Sequence, residues 1–348
     1  MRESLHKTLI IRFSSIGDIV LSSLLVRTLR ASFPQAEIDY LVKSEYADLI
    51  RHNPHLSRVI EFAGSSFADL SVLRRSIHAD GYDLIIDIHD SLRSRYLCFG
   101  HPNVVRINKR KLARFLLVRL KVNVYSSFGG SPSVAERYLE PVASLGVEND
   151  GKGLEFFIPK EATASVARLL NEIGIPDTTQ LIGICPTSRH ANKMWLPDRF
   201  AEVAAALTMK NGGSVVVLGS KDEMEQCRIV ADMVNAQGGN ASNLAGKISL
   251  TETAAVMDRC SVVVCNDSGL MHIAAARKRK VVAIFGPTVR ELGFYPYGTF
   301  SEVVEHPSLA CRPCTHIGLP SCPEGHFKCM REISSRTVLT AAERLLHQ

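Results

Sequence analysis

Short runs of β-branched residues recur along this chain, and a longer amphipathic stretch follows each one. That alternation constrains the fold more than any other feature. A strand followed by a helix and then another strand closes most simply as parallel βαβ, so the pattern predicts an α/β protein with parallel sheets. Thr8–Phe13, Glu37–Val42, Arg58–Phe62 and Leu84–Ile88 read as one strand series. Asp18–Phe33 reads as a helix with Leu21, Leu24, Leu25 and Leu29 on one face, stopped by Pro34. Ala68–Ala79 reads as another.

Gly146, Gly151, Gly153 and Pro159 then mark a boundary. A second series follows: Leu181–Cys185, Ser214–Leu218, Ser261–Cys265 and Val281–Phe285. Helices are expected at 161–173, 197–209, 223–235, 250–259 and 269–276. The 348 residues therefore divide into two α/β units, 1–160 and 161–348. The second ends in a Cys-rich segment, 311–329, and a C-terminal helix.

Composition excludes several classes. With 46% hydrophobic and 22% charged residues the chain can build a core, so disorder is excluded. Nine Cys are too sparse for a disulfide scaffold. No apolar run reaches the roughly 20 residues of a membrane span. Met1 to Lys7 carries both signs of charge, and Arg12 breaks the apolar stretch behind it, unlike a signal peptide. The expected location is the cytoplasm.

The net charge of +6 does not demand nucleic acid. Its distribution is uneven. Between Ser91 and Ala135 lie Arg93, Arg95, Arg106, Lys109, Arg110, Lys111, Arg114, Arg119 and Lys121, with no Asp or Glu. Such a run suits an anionic ligand, an anionic membrane surface or a merely solvated face.

Strand ends carry the polar motifs, where open α/β sheets bind ligands. In Arg12-Phe-Ser-Ser-Ile-Gly-Asp18, Gly17 permits a tight turn and Asp18 falls at a helix N-terminus beside Ser14 and Ser15. Asp18 is either a helix cap or a carboxylate placed to take a proton. Asn266-Asp267-Ser268-Gly269-Leu-Met-His272 follows the strand SVVVC and offers helix N-terminal amides to a phosphate, or simply caps a helix over a core histidine. Phe285-Gly-Pro-Thr288 ends the next strand. Thr187, Ser188 and Lys193 follow Cys185, with Trp195 close behind; they suit a diphosphate, or form a surface loop anchored by the Trp. Asp222 and Glu223, after Leu218, could reach ribose hydroxyls or cap a helix. Neither a dinucleotide fingerprint, nor a P-loop, nor an Asp-x-Asp pair occurs.

Cys311, Cys314, Cys322 and Cys329 fall within 19 residues. Their number matches structural zinc, but only one C-x2-C pair is present. Reduced thiols or a labile disulfide are the other readings. Cys98, Cys185, Cys227, Cys260 and Cys265 sit in apolar runs, like small core residues.

Together these motifs resemble the bacterial heptosyltransferases of glycosyltransferase family nine, over nearly the whole chain. The resemblance rests on RFSSIGD, DIHDSLRSR, KMW, and NDSGLMHIAAA followed by FGPT. The segment CRPC…CPEGHFKCMR looks closer to the second heptosyltransferase type, which adds heptose to heptose. The resemblance implies a GT-B architecture, two Rossmann-like domains whose parallel sheets face a cleft. It implies an inverting, metal-independent transfer of heptose from ADP-heptose to a lipid-linked lipopolysaccharide core, with no cofactor. In the family pattern Asp18 becomes the general base and Lys193 joins it in catalysis. The donor positions fall on Thr187, Ser188, Lys193, Ile248, Asp267, Ser268, Gly269 and His272, with Asp222 or Glu223 near the ribose. The acceptor would meet Ser15, Gly17, Arg93, Arg95, Lys109 and Arg110 in the first domain. Peripheral contact with the cytoplasmic face of the inner membrane follows from such an acceptor. A transferase or epimerase for another nucleotide sugar, or a non-catalytic nucleotide-binding protein, are the alternatives.

Overall fold

The computed structural model describes residues 5–128 and 130–348. Met1–Ser4, part of the charged N-terminal stretch, and Gly129, inside the basic run, lie outside the described residues. The chain separates into two units. One comprises Met1–Lys109 and Val134–Phe157; the other comprises Arg110–Ser133 and Ile158–Gln348. Residues 110–133, which the sequence reading kept with the first domain, thus belong to the second unit.

The first unit is built on five parallel strands: β1 (Lys7–Ile11), β2 (Glu37–Lys43), β3 (Arg58–Phe62), β4 (Leu84–Asp87) and β5 (Val104–Arg106). Their order is β3-β2-β1-β4-β5. β1 is central, and Leu9, Ile10 and Ile11 are fully buried. Burying each such side chain contributes about 1.5–3 kcal/mol, which is why a strand covered on both faces reads as an unbroken apolar run.

The second unit has six parallel strands: β6 (Leu181–Cys185), β7 (Ser214–Val217), β8 (Ala241–Asn243), β9 (Cys260–Asn266), β10 (Val281–Phe285) and β11 (Ser301–Glu305). Their order is β11-β10-β9-β6-β7-β8. The helix Pro197–Asn211 and the C-terminal helix Ser335–Leu346 pack into the same core, through Phe200, Ala204, Val338 and Ala342.

Each order reverses direction once, between β1 and β4 in one unit and between β9 and β6 in the other. Such a reversal leaves a crevice at the carboxyl ends of the two strands, because their following loops diverge to opposite faces.

Three local expectations change. The helix expected over 18–33 is two helices, Ile16–Leu21 and Ser23–Ser32, joined at Ser22. The Ser22 hydroxyl turns back onto Ile19 O and meets the Tyr40 hydroxyl instead of facing solvent. Gly17 makes no left-handed turn; it lies inside the first of these helices. Asp18 is not the N-cap, which is Ser15; Asp18 is the third helical residue and closes a capping box.

Candidate functional sites

At the β1/β4 reversal the carboxyl end of β1 delivers Arg12, and the following helix delivers Asp18. Arg12 Nη2 lies 2.7 Å from Asp18 Oδ2. The same oxygen accepts the Ser15 hydroxyl at 3.0 Å. The other oxygen, Oδ1, accepts the Tyr138 hydroxyl at 3.1 Å. Arg12 is itself fixed by donating to Ser14 O and to Ile88 O, 2.6 and 2.7 Å away, and it lies over the Tyr138 ring. One end of the cradle therefore rests on β4.

Burial is the largest influence on the Asp18 carboxyl and pushes it up. The Arg12 charge and the hydrogen bonds from Ser15 and Arg12 together outweigh it, so the carboxyl stays below its ordinary value of 3.8. Asp18 is an ionised carboxylate at neutral pH, with 17% of its side chain still exposed. Nearby, His89 packs edge-on against Phe13. Burial first, then the Arg12 and Lys109 charges, lower its pKa to about 3, so its ring is neutral.

The basic side chains expected at the acceptor are not one free patch. Arg95 Nε is held 2.7 Å from Asp90 Oδ1. Lys109 Nζ donates to Asp90 O. Arg93 is exposed. Arg110 is buried in the second unit and donates to Gly130 O. Ser15, Gly17, Arg93, Arg95 and Lys109 belong to the first unit.

At the β9/β6 reversal the loops after β6, β9 and β10 meet. Lys193 Nζ and Thr288 Oγ1 both lie 2.7 Å from Asp267 Oδ2. Ser188 Oγ donates to Asp267 O at 3.0 Å. Asn266 ties two loops, accepting from Trp195 N and donating to Pro186 O. Trp195 is a core anchor, its indole N–H donating to Ile333 O.

Ser268 caps the helix Gly269–Ala276, and its Oγ is buried with no hydrogen-bond partner among the described residues. An orphaned hydroxyl of that kind, beside helix N-terminal amides, is suited to an anionic oxygen. His272 is buried one turn further on, facing Phe294. Thr187 is buried, with its hydroxyl against the Cys227 thiol. Glu223 accepts from Ser220 N and closes a capping box, Asp222 is exposed, and Ile248 is half-buried on the loop before the helix Leu250–Arg259.

Sequence reasoning missed Arg12, Tyr138, Thr288 and Asn192 as site residues. Arg12 and Thr288 stood inside quoted motifs, and a charged or polar residue at a buried strand end is a usable signal. Tyr138 is 120 residues from Asp18 and carries no local signal. Asn192 shapes the Lys193 turn from behind. Its side chain accepts from Leu319 N and its N–H donates to Leu319 O, so the Cys-rich segment braces the cation-bearing loop.

The zinc expectation falls on this segment, where burial and then the charges of Cys311 and Cys322 push the Cys314 thiol up, and Cys311 Sγ lies 3.9 Å from His326 Nε2. Among the described residues no three His, Cys, Asp or Glu side chains are grouped to hold a metal ion. Cys311, Cys314, Cys322 and Cys329 are unpaired thiols, and burial pushes Cys329 up to about 12. Hydrogen bonds order the segment as well. Arg312 donates to Gly286 O, His306 O and Thr288 O, and Lys121 Nζ reaches Cys311 O and Pro313 O.

Comparison with known proteins adds the following. A family model described as glycosyltransferase family 9 (heptosyltransferase) matches residues 71–322. Lipopolysaccharide heptosyltransferase 2 of Salmonella typhimurium is 28% identical over 98% of this chain and 99% of its own. The crystal structure of a family 9 glycosyl transferase from Veillonella parvula superposes with a TM-score of 0.82 at 25% identity, covering 100% of this chain and 99% of that one. The ADP-heptose LPS heptosyltransferase II of Escherichia coli superposes with a TM-score of 0.72, also at 25% identity, covering 98% and 99%. With its two parallel sheets, the chain has the α/β, GT-B class of fold that the motifs implied.

Proposed function

The chain belongs to glycosyltransferase family 9, the heptosyltransferase family, and we propose that it moves a heptose from ADP-heptose to the inner core of lipopolysaccharide, with inversion and without a catalytic metal. The support for this substrate pair is the near full-length likeness to enzymes with that name. The observation that carries the chemistry is the second unit's anion cradle: Lys193 on Asp267 beside the orphaned Ser268 hydroxyl and the Gly269–Ala276 amides.

In this reading the ADP diphosphate sits at Ser188, Lys193, Ser268 and Gly269. Asp267 is not itself a phosphate contact, since two anions would repel; it holds Lys193 in place. The acceptor hydroxyl gives its proton to Asp18, and Oδ1 is the better receiving oxygen because Arg12 and Ser15 already occupy Oδ2. The acceptor oxygen forms a bond to the anomeric carbon on the face opposite ADP. The bond from that carbon to the β-phosphate oxygen breaks, and ADP leaves with the electron pair. Lys193 and the helix-end amides meet the charge that develops on the departing diphosphate, where a fixed cation and dipoles act without reorganisation. The chain has no Asp-x-Asp pair that would place a divalent ion there. Arg93, Arg95 and Lys109 receive acidic groups of the acceptor, at the cytoplasmic face of the inner membrane.

Incubation with ADP-heptose and defined, deacylated core acceptors, read by mass, tests the proposal. A product one heptose heavier, of inverted anomeric configuration and formed in the presence of a chelator, is expected. Transfer from another nucleotide sugar only, or strict dependence on a divalent ion, would overturn the corresponding part.

A further inference from the structure

Residues 111–122 form a short α-helix, Lys111–Phe115, continuing into a wider turn, Leu116–Leu120. One side packs inward: Ala113 and Leu117 are buried with Tyr125 and Leu292. The other side is unusual for a surface. Leu112, Phe115, Leu120 and Val122 are 62%, 55%, 59% and 47% exposed, and Ile317 on the adjoining loop is 55% exposed. Five large apolar side chains within one small region exceed the scattered exposure of an ordinary surface.

Between the helix and that loop runs a groove of 670 Å³, lined by Lys111, Arg114, Phe115, Arg119, His316 and Ile317 among others. No acidic side chain pairs with Arg114 or Arg119 among the described residues. At the far end of this stretch Asn123 donates to Glu291. Arg114 is half-buried with its charge unopposed. The helix is anchored at its end, because Lys121 Nζ is spent on Val118 O, Cys311 O and Pro313 O.

We propose that this face docks the protein on an anionic lipid bilayer. The apolar side chains would enter the interface between headgroups and acyl chains, and Arg114 and Arg119 would meet the lipid phosphates. This is the pattern of an interfacial amphipathic helix, in which apolar area and cations act together. A soluble acidic partner would explain the cations but not the exposed leucines. An apolar protein partner would explain the leucines but would leave Arg114 and Arg119 unopposed. All of the groove's lining belongs to the second unit, so the face is complete within that unit. The inference rests on the reading above only in that a lipid-linked acceptor gives such docking a purpose.

Co-sedimentation of the full chain with phosphatidylglycerol-containing vesicles, against pure phosphatidylcholine vesicles, tests it. Binding to the anionic vesicles alone is expected, falling with added salt. Leu112→Ser/Phe115→Ser/Leu120→Ser should lose at least tenfold in vesicle affinity and still turn over a deacylated acceptor within twofold. Arg119→Glu, a single exposed change that leaves the apolar side chains in place, should lose roughly fivefold or more; it serves if the triple variant fails to fold. Absence of wild-type binding, unchanged binding by both variants, or loss of turnover on the deacylated acceptor by the triple variant would each overturn the proposal. Vesicle binding by a wild-type protein that transfers no heptose would leave the docking face standing and remove the functional reading instead.

Discussion

Lys193 Nζ is 2.7 Å from Asp267 Oδ2, and both side chains are almost entirely withdrawn from water. The two residues come from the loops after β6 and β9, which are 74 positions apart in sequence but adjacent in the sheet. The pair turns a flexible lysine into a fixed cation. Breaking it by removing either partner leaves the other charge buried and badly placed.

Lys193→Ala and Asp267→Ala should therefore each weaken ADP binding about tenfold or more. The double variant should be no worse than Lys193→Ala alone, because Asp267 acts through Lys193 and coupled residues are not additive. Calorimetric titration with ADP checks this. Additive losses would mean that Asp267 contacts the ligand directly.

Asp18→Asn should lower turnover by roughly 10²–10⁴, the usual effect of losing a general base. ADP affinity should stay within a few-fold, since the Asp18 cradle is built from first-unit residues. Asn retains a hydrogen-bonding oxygen for the capping box but leaves the buried Arg12 charge without its carboxylate, so stability should fall by up to about 3–5 kcal/mol. Near-normal turnover would reduce Asp18 to a structural residue.

His89 gives a stability signature. Its folded pKa of about 3 lies below the ordinary 6.5, chiefly because of burial and then the Arg12 and Lys109 charges. As pH falls below 6.5 the unfolded chain binds a proton that the folded chain refuses, so stability rises with pH across that window. From pH 7 to pH 5 the loss should be about 1–2 kcal/mol, discounted for the partial exposure of the ring. His89→Asn should flatten that part of the curve in urea unfolding measured at each pH. An unchanged slope would assign the loss elsewhere.

Arg93→Glu should raise the acceptor Michaelis constant and leave that for ADP-heptose alone. Arg93 is exposed, so the effect should shrink with salt as screening shortens to about 8 Å at physiological ionic strength. Arg95→Glu should do more, because it also places two carboxylates together at Asp90.

Gly318→Ala tests the brace behind Lys193. Gly318 has φ +130°, a conformation that L side chains rarely adopt, and a methyl group there would collide with the His190 ring. His190 O accepts the N–H of Lys193, so the displacement passes to the cation. ADP affinity should fall several-fold with the fold retained, as read by calorimetry and circular dichroism. Unchanged affinity would separate the Cys-rich segment from the donor loop.

The inner strands β1, β2, β4, β6, β7, β9 and β10 were legible in the sequence because burial on both faces demands continuous apolar runs, and one edge strand, β3, was legible too. The edge strands β5, β8 and β11 were not: two have three residues each, and the third, Ser301–Glu305, mixes charge with valine on a half-exposed edge. The motifs at strand ends were legible too, since Asp18, Lys193, Asp267 and Ser268 sit where loops leave a parallel sheet. Local sequence could not show which of these touch. Strand order alone sets β6 beside β9 and so brings Lys193 to Asp267. It likewise sets β1 beside β4, so that Arg12 bonds Ile88 O and turns its other nitrogen to Asp18. Tyr138 reaches Asp18, and Leu319 reaches Asn192, only after the chain has folded back over more than a hundred residues. Periodicity and residue type act over a turn or a strand, and so the sequence by itself determined the elements and the chemistry at their ends. Which side chains became neutralised, braced or left exposed was decided by tertiary packing, because only packing sets distances between residues remote along the chain.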